Sequence, residues 1–395
     1  MENKAVILGN NYYMGLSTIR CLGREGIHTV AMDYSEEERY GAKSKYCSET
    51  QIVPDYKTSP DAFIKALIDY GQKQTSKPVL IPCHDSYVEV IDAHLEEVKE
   101  HYLIPQTEKG LYTSVMDKDA LHGLAIEHGM RVPESIHMND EKFYEIVEST
   151  IKYPCLIKPV DSPKFVAHFR RKLFEVHNRK ELDSVLADIR ETDLEVIAQR
   201  LIPGFDDHMY TFDAYLNQDA KVTHWMTCQK LRQYPINYGA SVYTVQRHVP
   251  EVHRIGADFL ESIGFKGFAE IEMKKDAITG EYYLIEINAR ITNLNTMLDK
   301  VGLNFPYITY RELTGDALPP KAIETSTNIA FWYAYEDFLA TRDYIKTKQL
   351  SLFSIIKTLF RKKAYAIWSW KDPKPGLAYF GIILGRIKNK ILKRS

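Results

Sequence analysis

Along the first hundred residues, short apolar runs alternate with stretches of helical period. "KAVILG" predicts a strand, "MGLSTIRCLGREG" an amphipathic helix closed by Gly26, and "HTVAMD" a second strand ending at Asp33. "DAFIKALIDYGQ" predicts a helix, "PVLIPCHDS" a strand and "YVEVIDAHLEEVKEH" a further helix. This alternation predicts a Rossmann-like parallel α/β sheet with ligands at the strand C-termini. "LYTSVMDKDALHGLAIEHG" is helical and leads into a new unit at Pro133. From about Tyr153 to Ala289 strands and helices mix without strict alternation. The pieces are "YPCLIKPV", "LFEVHN", "KELDSVLADI", "EVIAQRLIPG", "HMYTFDAYL", "KVTHWMTCQK" and the long helix "EVHRIGADFLESIG". That mixture predicts an α+β part.

The polar positions of two later strands do not fit simple half-burial. In "YYLIEINAR", residues 282–290, Glu286, Asn288 and Arg290 fall at every second position. Alternate side chains of a strand share a face, so Ile285, Ile287 and Ala289 are expected on the other. "GFAEIEMKK" precedes it across a turn at Asp276–Gly280 and predicts a hairpin, with Glu270 and Glu272 on one face. Glu272 is then expected beside Glu286 and Asn288. Such an all-oxygen group suits magnesium, which binds through one or two carboxylates plus substrate phosphates. A solvent-facing edge with alternating charge is the other reading.

Bulk properties narrow the setting. The chain has 395 residues, 45% hydrophobic, with a formal net charge of −2, which gives no argument for nucleic acid. Its five cysteines are scattered without a C-x-x-C pair, which suits reduced thiols rather than a disulfide frame. No apolar run approaches a bilayer span, and the start enters a strand at once. A cytoplasmic protein is expected.

Further residues gain meaning from their order. Lys118 opens a helix behind Asp117, a plausible N-cap; Lys158 ends the strand "CLIKPV"; and "QRLIPGFDD" is a strand, a hinge at Pro203–Gly204 and two acids. Lysine, lysine, hinge, then E…E-x-N is the arrangement of the ATP-grasp superfamily, which the chain resembles over about residues 1–315. The resemblance implies an ATP-grasp fold behind the Rossmann-like domain. It implies ATP phosphates held by Lys118 and Lys158, and adenine held by Gln199 and the backbone of Arg200, Leu201 and Ile202. Ribose falls to Asp206 or Asp207, and Lys230 in "TCQKLRQYP" stands where another phosphate lysine is often found. Glu272, Glu286 and Asn288 match the magnesium ligands, and Arg290 stands near the acyl phosphate. Expected domains are 1–110 (α/β), 111–200 (first subdomain), 201–320 (second subdomain with the metal site) and 321–395 (a basic helical extension).

The implied activity is a carboxylate–amine ligase working through an acyl phosphate, with ATP, magnesium, a small carboxylate and an amine acceptor. No Ser–His–Asp or Cys–His set competes, and "GNNYYMGLS" is not a G-x-G-x-x-G fingerprint. A departure concerns the interval after Lys158. Where many relatives carry a glycine-rich lid, "DSPKFVAHFRRKLFEV" has none but carries Lys164, Arg170, Arg171 and Lys172. "KPVDS…RRKLFEV" is similar to carboxylate–amine ligases of Gram-positive bacteria, among them D-aspartate ligases of cell-wall crossbridge synthesis. A ligase for another acid, or a nucleotide-binding regulatory protein without turnover, are the alternatives. "CHDS", residues 83–86, either faces the carboxylate substrate or caps a turn. From Lys357 onward eleven Lys or Arg meet one acid, Asp372, among interleaved aromatics. That tail is expected either to contact an anionic membrane peripherally or to pack as an ordinary helix pair.

Overall fold

A computed structural model describes residues 3–35, 39–160 and 162–392. Asp161 of the glycine-free interval and the basic Lys393 and Arg394 lie outside the described residues. The predicted alternation becomes a four-stranded sheet, all parallel, in the order β3-β2-β1-β4. Its strands are β1 (Ala5–Leu8), β2 (Thr29–Asp33), β3 (Glu49–Ile52) and β4 (Val79–Pro82). β1 and β2 are buried throughout, as strands covered on both faces must be. β3 went unread because "ETQI" is polar and only half buried at the sheet edge.

A second, antiparallel sheet runs β5-β8-β6-β7, from β5 (Ser135–His137), β6 (Cys155–Pro159), β7 (Phe174–Val176) and β8 (Val196–Arg200). Between β6 and β7 the glycine-free interval folds as the helix Ser162–Phe169. Phe165 is fully buried and packs against Phe169 and Phe174, which anchors the interval.

The third sheet has eight strands: β9 (Met209–Leu216), β10 (Val222–Tyr234), β11 (Ala240–Gln246), β12 (Gly267–Lys275), β13 (Tyr282–Asn288), β14 (Lys321–Ala322), β15 (Ala330–Trp332) and β16 (Lys363–Tyr365). Its order is β13-β12-β9-β10-β11-β15-β16, with β14 beside β10. The last three strands come from beyond residue 320, so that expected boundary runs through one sheet. The remainder of the C-terminal region is also tied down. Arg20 donates to Asp372 (2.9 Å) and to the carbonyls of Ile367 (2.7 Å) and Asp372 (2.8 Å), a buried ion pair between the first helix and the tail. Among the described residues no helix is long and apolar enough to cross a membrane.

Candidate active site

The hairpin forms as expected, with one difference that shapes the site. β12 and β13 are antiparallel, with Glu272 directly opposite Glu286 and Glu270 opposite Asn288. The next pair is Met273 with Leu284, so Ile285 is an extra residue, a β-bulge. Strict alternation therefore fails at Ile285, which lines the cavity instead of entering the core; Ile287 and Ala289 are buried as expected. The turn is held by Asp276, whose Oδ1 accepts from the amides of Ile278 (2.8 Å) and Thr279 (3.1 Å). Its Oδ2 accepts from Arg200 (3.0 Å), which ties the hairpin to the hinge after β8.

Between the second and third sheets lies a cavity of about 740 Å³, within the range of small-molecule sites. Lys118, Lys158, Gln199, Arg200, Leu201, Ile202, Glu272, Glu286, Asn288 and Arg290 all line it. Residues up to 172 positions apart in sequence thus meet at one place. Lys118 follows Asp117, whose carboxylate caps the helix by accepting from the amides of Asp119 (3.1 Å) and Ala120 (2.9 Å). Lys158 Nζ donates to Gln199 Oε1 at 3.0 Å. Burial lowers the Lys158 ammonium to about 8, helped by the charge of Lys118 and opposed by Glu286. Burial lowers Lys118 as well, again against the pull of Glu286. Glu286 is thus the common counter-charge of both lysines.

Lys230 is buried behind Glu272, with Nζ 2.5 Å from Oε2. Burial pushes the Glu272 carboxyl up, against the pull of Lys230. Burial opposes the Lys230 charge too, but Glu272 and Glu286 outweigh it and hold the ammonium above its ordinary value. Beneath them Asn288 donates to Glu270 (3.0 Å), and burial followed by the neighbouring Asp213 raises Glu270 well above the carboxylate range. Asp213 and Glu270 extend the site in a direction the candidate ligand set did not include. Asp213 carries a signal of the same kind, an acid inside the apolar strand "MYTFDAYL".

The donors fit a hard cation. Two carboxylates directly opposed on neighbouring strands repel, and a divalent ion between them with an amide oxygen alongside would remove that repulsion. Among the described residues no three His, Cys, Asp or Glu side chains form a metal group by themselves. Two carboxylates and one amide oxygen leave the rest of an octahedral shell to substrate oxygens and water.

Arg290 reaches the first domain. Its Nε and Nη2 donate to the two oxygens of Asp85, at 2.8 and 3.1 Å. This fork holds a carboxylate inside the cavity wall. Of the two readings of "CHDS", the capped turn is seen: His84 caps the helix Asp85–Ala93 by accepting from Ser86 (3.3 Å), and Asp85 lines the cavity.

The two ribose candidates lie differently from the rest. Asp206 is buried, and its oxygens accept from Gln233 (2.6 Å), the amide of Asn237 (3.1 Å) and the Tyr344 hydroxyl. Asp207 is exposed and pairs with His208 at 2.8 Å. Neither lines the cavity, whereas Gln233 and Asn237, which sequence reading passed over, do. Of the basic residues in the interval after β6, Lys172 lines the cavity and donates to the Tyr238 carbonyl at 3.3 Å. Arg171 instead stacks over Phe174 at 4.8 Å.

No protein-family profile matches the chain. Over 316 residues it is 26% identical to a D-aspartate ligase of Enterococcus faecium, covering 76% of this chain and 74% of that one. It is 24% identical over 208 residues to a D-alanine–D-alanine ligase of Chromohalobacter salexigens, covering 50% of this chain and 63% of the relative. Among solved structures, N5-carboxyaminoimidazole synthetase from Staphylococcus aureus, complexed with ADP, superposes with a TM-score of 0.62 at 18% identity, over 82% of this chain and 81% of that one. The biotin carboxylase domain of the Hydrogenobacter thermophilus 2-oxoglutarate carboxylase, with MgADP and bicarbonate, gives 0.63 at 15% identity, over 84% and 74%.

Proposed function

We propose that this chain, whose fold is that of the ATP-grasp superfamily, is an ATP-dependent, ADP-forming ligase that joins a carboxylate to an amine through an acyl phosphate. The observation that carries the reading is one cavity bounded by Lys118, Lys158, Glu272, Glu286, Asn288 and Arg290, with Lys230 directly behind Glu272. Cations for a polyphosphate, oxygens for its metal and a guanidinium already gripping a carboxylate serve this chemistry together.

A carboxylate reacts poorly with amines because oxide is a poor leaving group. Its oxygen attacks the γ-phosphorus, the bond to ADP breaks, and an acyl phosphate results. The amine nitrogen then attacks the acyl carbon, phosphate leaves, and the nitrogen gives up a proton as the amide forms. Positioning and charge neutralisation are the protein's share. Lys118 and Lys158 would hold the phosphates, Gln199 and the backbone at Arg200–Ile202 the adenine. Lys230 would turn from Glu272 to the transferring phosphoryl group. Glu272, Glu286 and Asn288 would hold a magnesium ion, which would neutralise charge on the phosphates. Arg290 would release Asp85 and orient the substrate carboxylate. For the ribose, Gln233 and Asn237, which line the cavity, would serve in place of Asp206 or Asp207.

The acid is first D-aspartate, and the acceptor an amine of a cell-wall precursor; the similarity to the E. faecium enzyme supports this choice. The test is ADP release from a panel of D- and L-amino acids with and without such acceptors. D-Aspartate is expected to give the highest rate, and a higher rate with another acid would replace it.

Lys158 gives the reading a pH signature. Its folded-state value sits near 8, so its charge is present below that pH and lost as pH rises through it. Because the phosphate contact needs the charged form, ATP affinity should be level below pH 8 and fall by up to about tenfold per pH unit above it. Lys158→Ala should bind more weakly by about 1.5–3 kcal/mol and lose that break. Calorimetry from about pH 6.5 to about 9.5 reads both, and an unchanged affinity in Lys158→Ala would remove the residue from the site.

A further inference from the structure

Helices of a water-soluble fold normally turn their apolar stripe inward. The helix Leu352–Leu359 does the reverse. Its inward contacts are Ile355 and Thr358, the latter accepting from Arg232 at its hydroxyl (3.2 Å) and from Tyr243 at its carbonyl (2.7 Å). Leu352, Phe353, Ile356, Leu359 and Phe360 point out, with Phe353 77% and Phe360 85% exposed. These positions, i, i+1, i+4, i+7 and i+8, make one continuous stripe.

The helix Lys374–Leu392 repeats the pattern. Ala378, Tyr379 and Ile382 pack on the core, with Tyr379 edge-on to Tyr40 at 5.3 Å. On the opposite side Leu377, Phe380 and Leu384 are exposed at i, i+3 and i+7. Trp370, between the two helices, is 84% exposed. Half of the large hydrophobic side chains exposed among the described residues fall between residues 352 and 384. Single exposed apolar residues are ordinary, but the continuous stripe along Leu352–Leu359 marks a covered surface.

Charge identifies the cover. After Asp343 the sequence has one acid, Asp372, and that is buried in its pair with Arg20. Lys357, Lys362, Lys371, Lys374 and Lys388 are exposed in the same region. A protein partner of ordinary mixed charge is not specified by such a surface. We propose that the exposed faces of Leu352–Leu359 and Lys374–Leu392, with Trp370 between them, dock this protein on an anionic lipid leaflet. Apolar side chains enter the boundary between headgroups and acyl chains, and the lysines meet the headgroups. Docking of this kind needs both terms, so it is peripheral and salt-sensitive.

The direct experiment is co-sedimentation of the full-length protein with phosphatidylcholine vesicles, with and without phosphatidylglycerol. Binding is expected only to the anionic vesicles, weakening as salt is raised. Phe353→Ser/Phe360→Ser should lower partitioning at least about tenfold, as should Leu377→Ser/Phe380→Ser. Lys357→Gln/Lys362→Gln should weaken binding and flatten its salt dependence. All three pairs should keep the wild-type thermal transition, since these side chains face away from the body. The proposal is overturned if the full-length protein stays in the supernatant at low salt, or if Phe353→Ser/Phe360→Ser sediments like wild type. A vesicle-indifferent dimer that the same substitutions dissociate would show that a second copy covers the face, and would overturn it equally. None of these outcomes depends on which reaction the cavity carries out.

Discussion

Glu286→Gln should lower turnover by about a hundredfold to a thousandfold while leaving the thermal transition of the protein unchanged. Glu286 is exposed to the cavity, opposes Glu272 across the strand pair, and serves both Lys118 and Lys158 as counter-charge. Removing its charge costs the metal a ligand and leaves the lysines less well fixed. Losing one such electrostatic contact to the transferring group is worth about 3–4 kcal/mol in the transition state. Glu272→Gln should be as inactive but less stable. Glu272 is buried with Lys230 at 2.5 Å, and removing one partner of a buried pair costs about 3 kcal/mol. The two variants together therefore separate site from scaffold. Full activity of both in limiting magnesium would sink the metal assignment.

Arg290→Ala should reduce kcat/KM for the acid by about a hundredfold to a thousandfold, or about 3–4 kcal/mol. Its fork is engaged by both oxygens of Asp85, a geometry that a carboxylate substrate can take over atom for atom. The loss should appear in kcat as well as KM, because the fork both binds the acid and faces the charge that develops during phosphoryl transfer. Arg290→Lys should recover little, since one ammonium cannot reproduce two parallel donors. ATP affinity should stay within about twofold of wild type, because Arg290 is assigned to the acid and not to the nucleotide. Steady-state kinetics in the acid, with separate ATP titration, distinguishes these effects. A variant with wild-type kcat/KM would take Arg290 out of the reaction.

Much of the site was legible because its signals are local. The E-x-N-x-R alternation in β13, the strand-end lysine of β6 and the capped start at Lys118 each follow from a few neighbouring residues. What failed depended on pairing. The bulge at Ile285 is set by the register of β12 against β13, and alternation within one strand does not reveal it. Asp206 reads as a free acid after a hinge, yet Tyr344, more than a hundred residues later, supplies a hydroxyl to it. β15 and β16 have three residues each and pair with each other in parallel across a long excursion, leaving no periodicity to detect. β11 was missed for a different reason. Alternation of apolar and polar residues in "ASVYTVQ" breaks at Val242–Tyr243, and the runs on either side are too short to stand out beside β10. The glycine-free interval shows the converse. Its aromatic spacing made a packed helix out of what composition alone suggests is a basic loop.

The central claim is the acyl phosphate, and hydroxylamine tests it most directly. With ATP, magnesium and the acid but no amine acceptor, hydroxylamine should capture the activated acyl group as a hydroxamate, with ADP and phosphate formed in equal amounts. Glu286→Gln should give neither. Release of AMP and pyrophosphate in place of ADP and phosphate would mean activation as an adenylate, and would contradict the account.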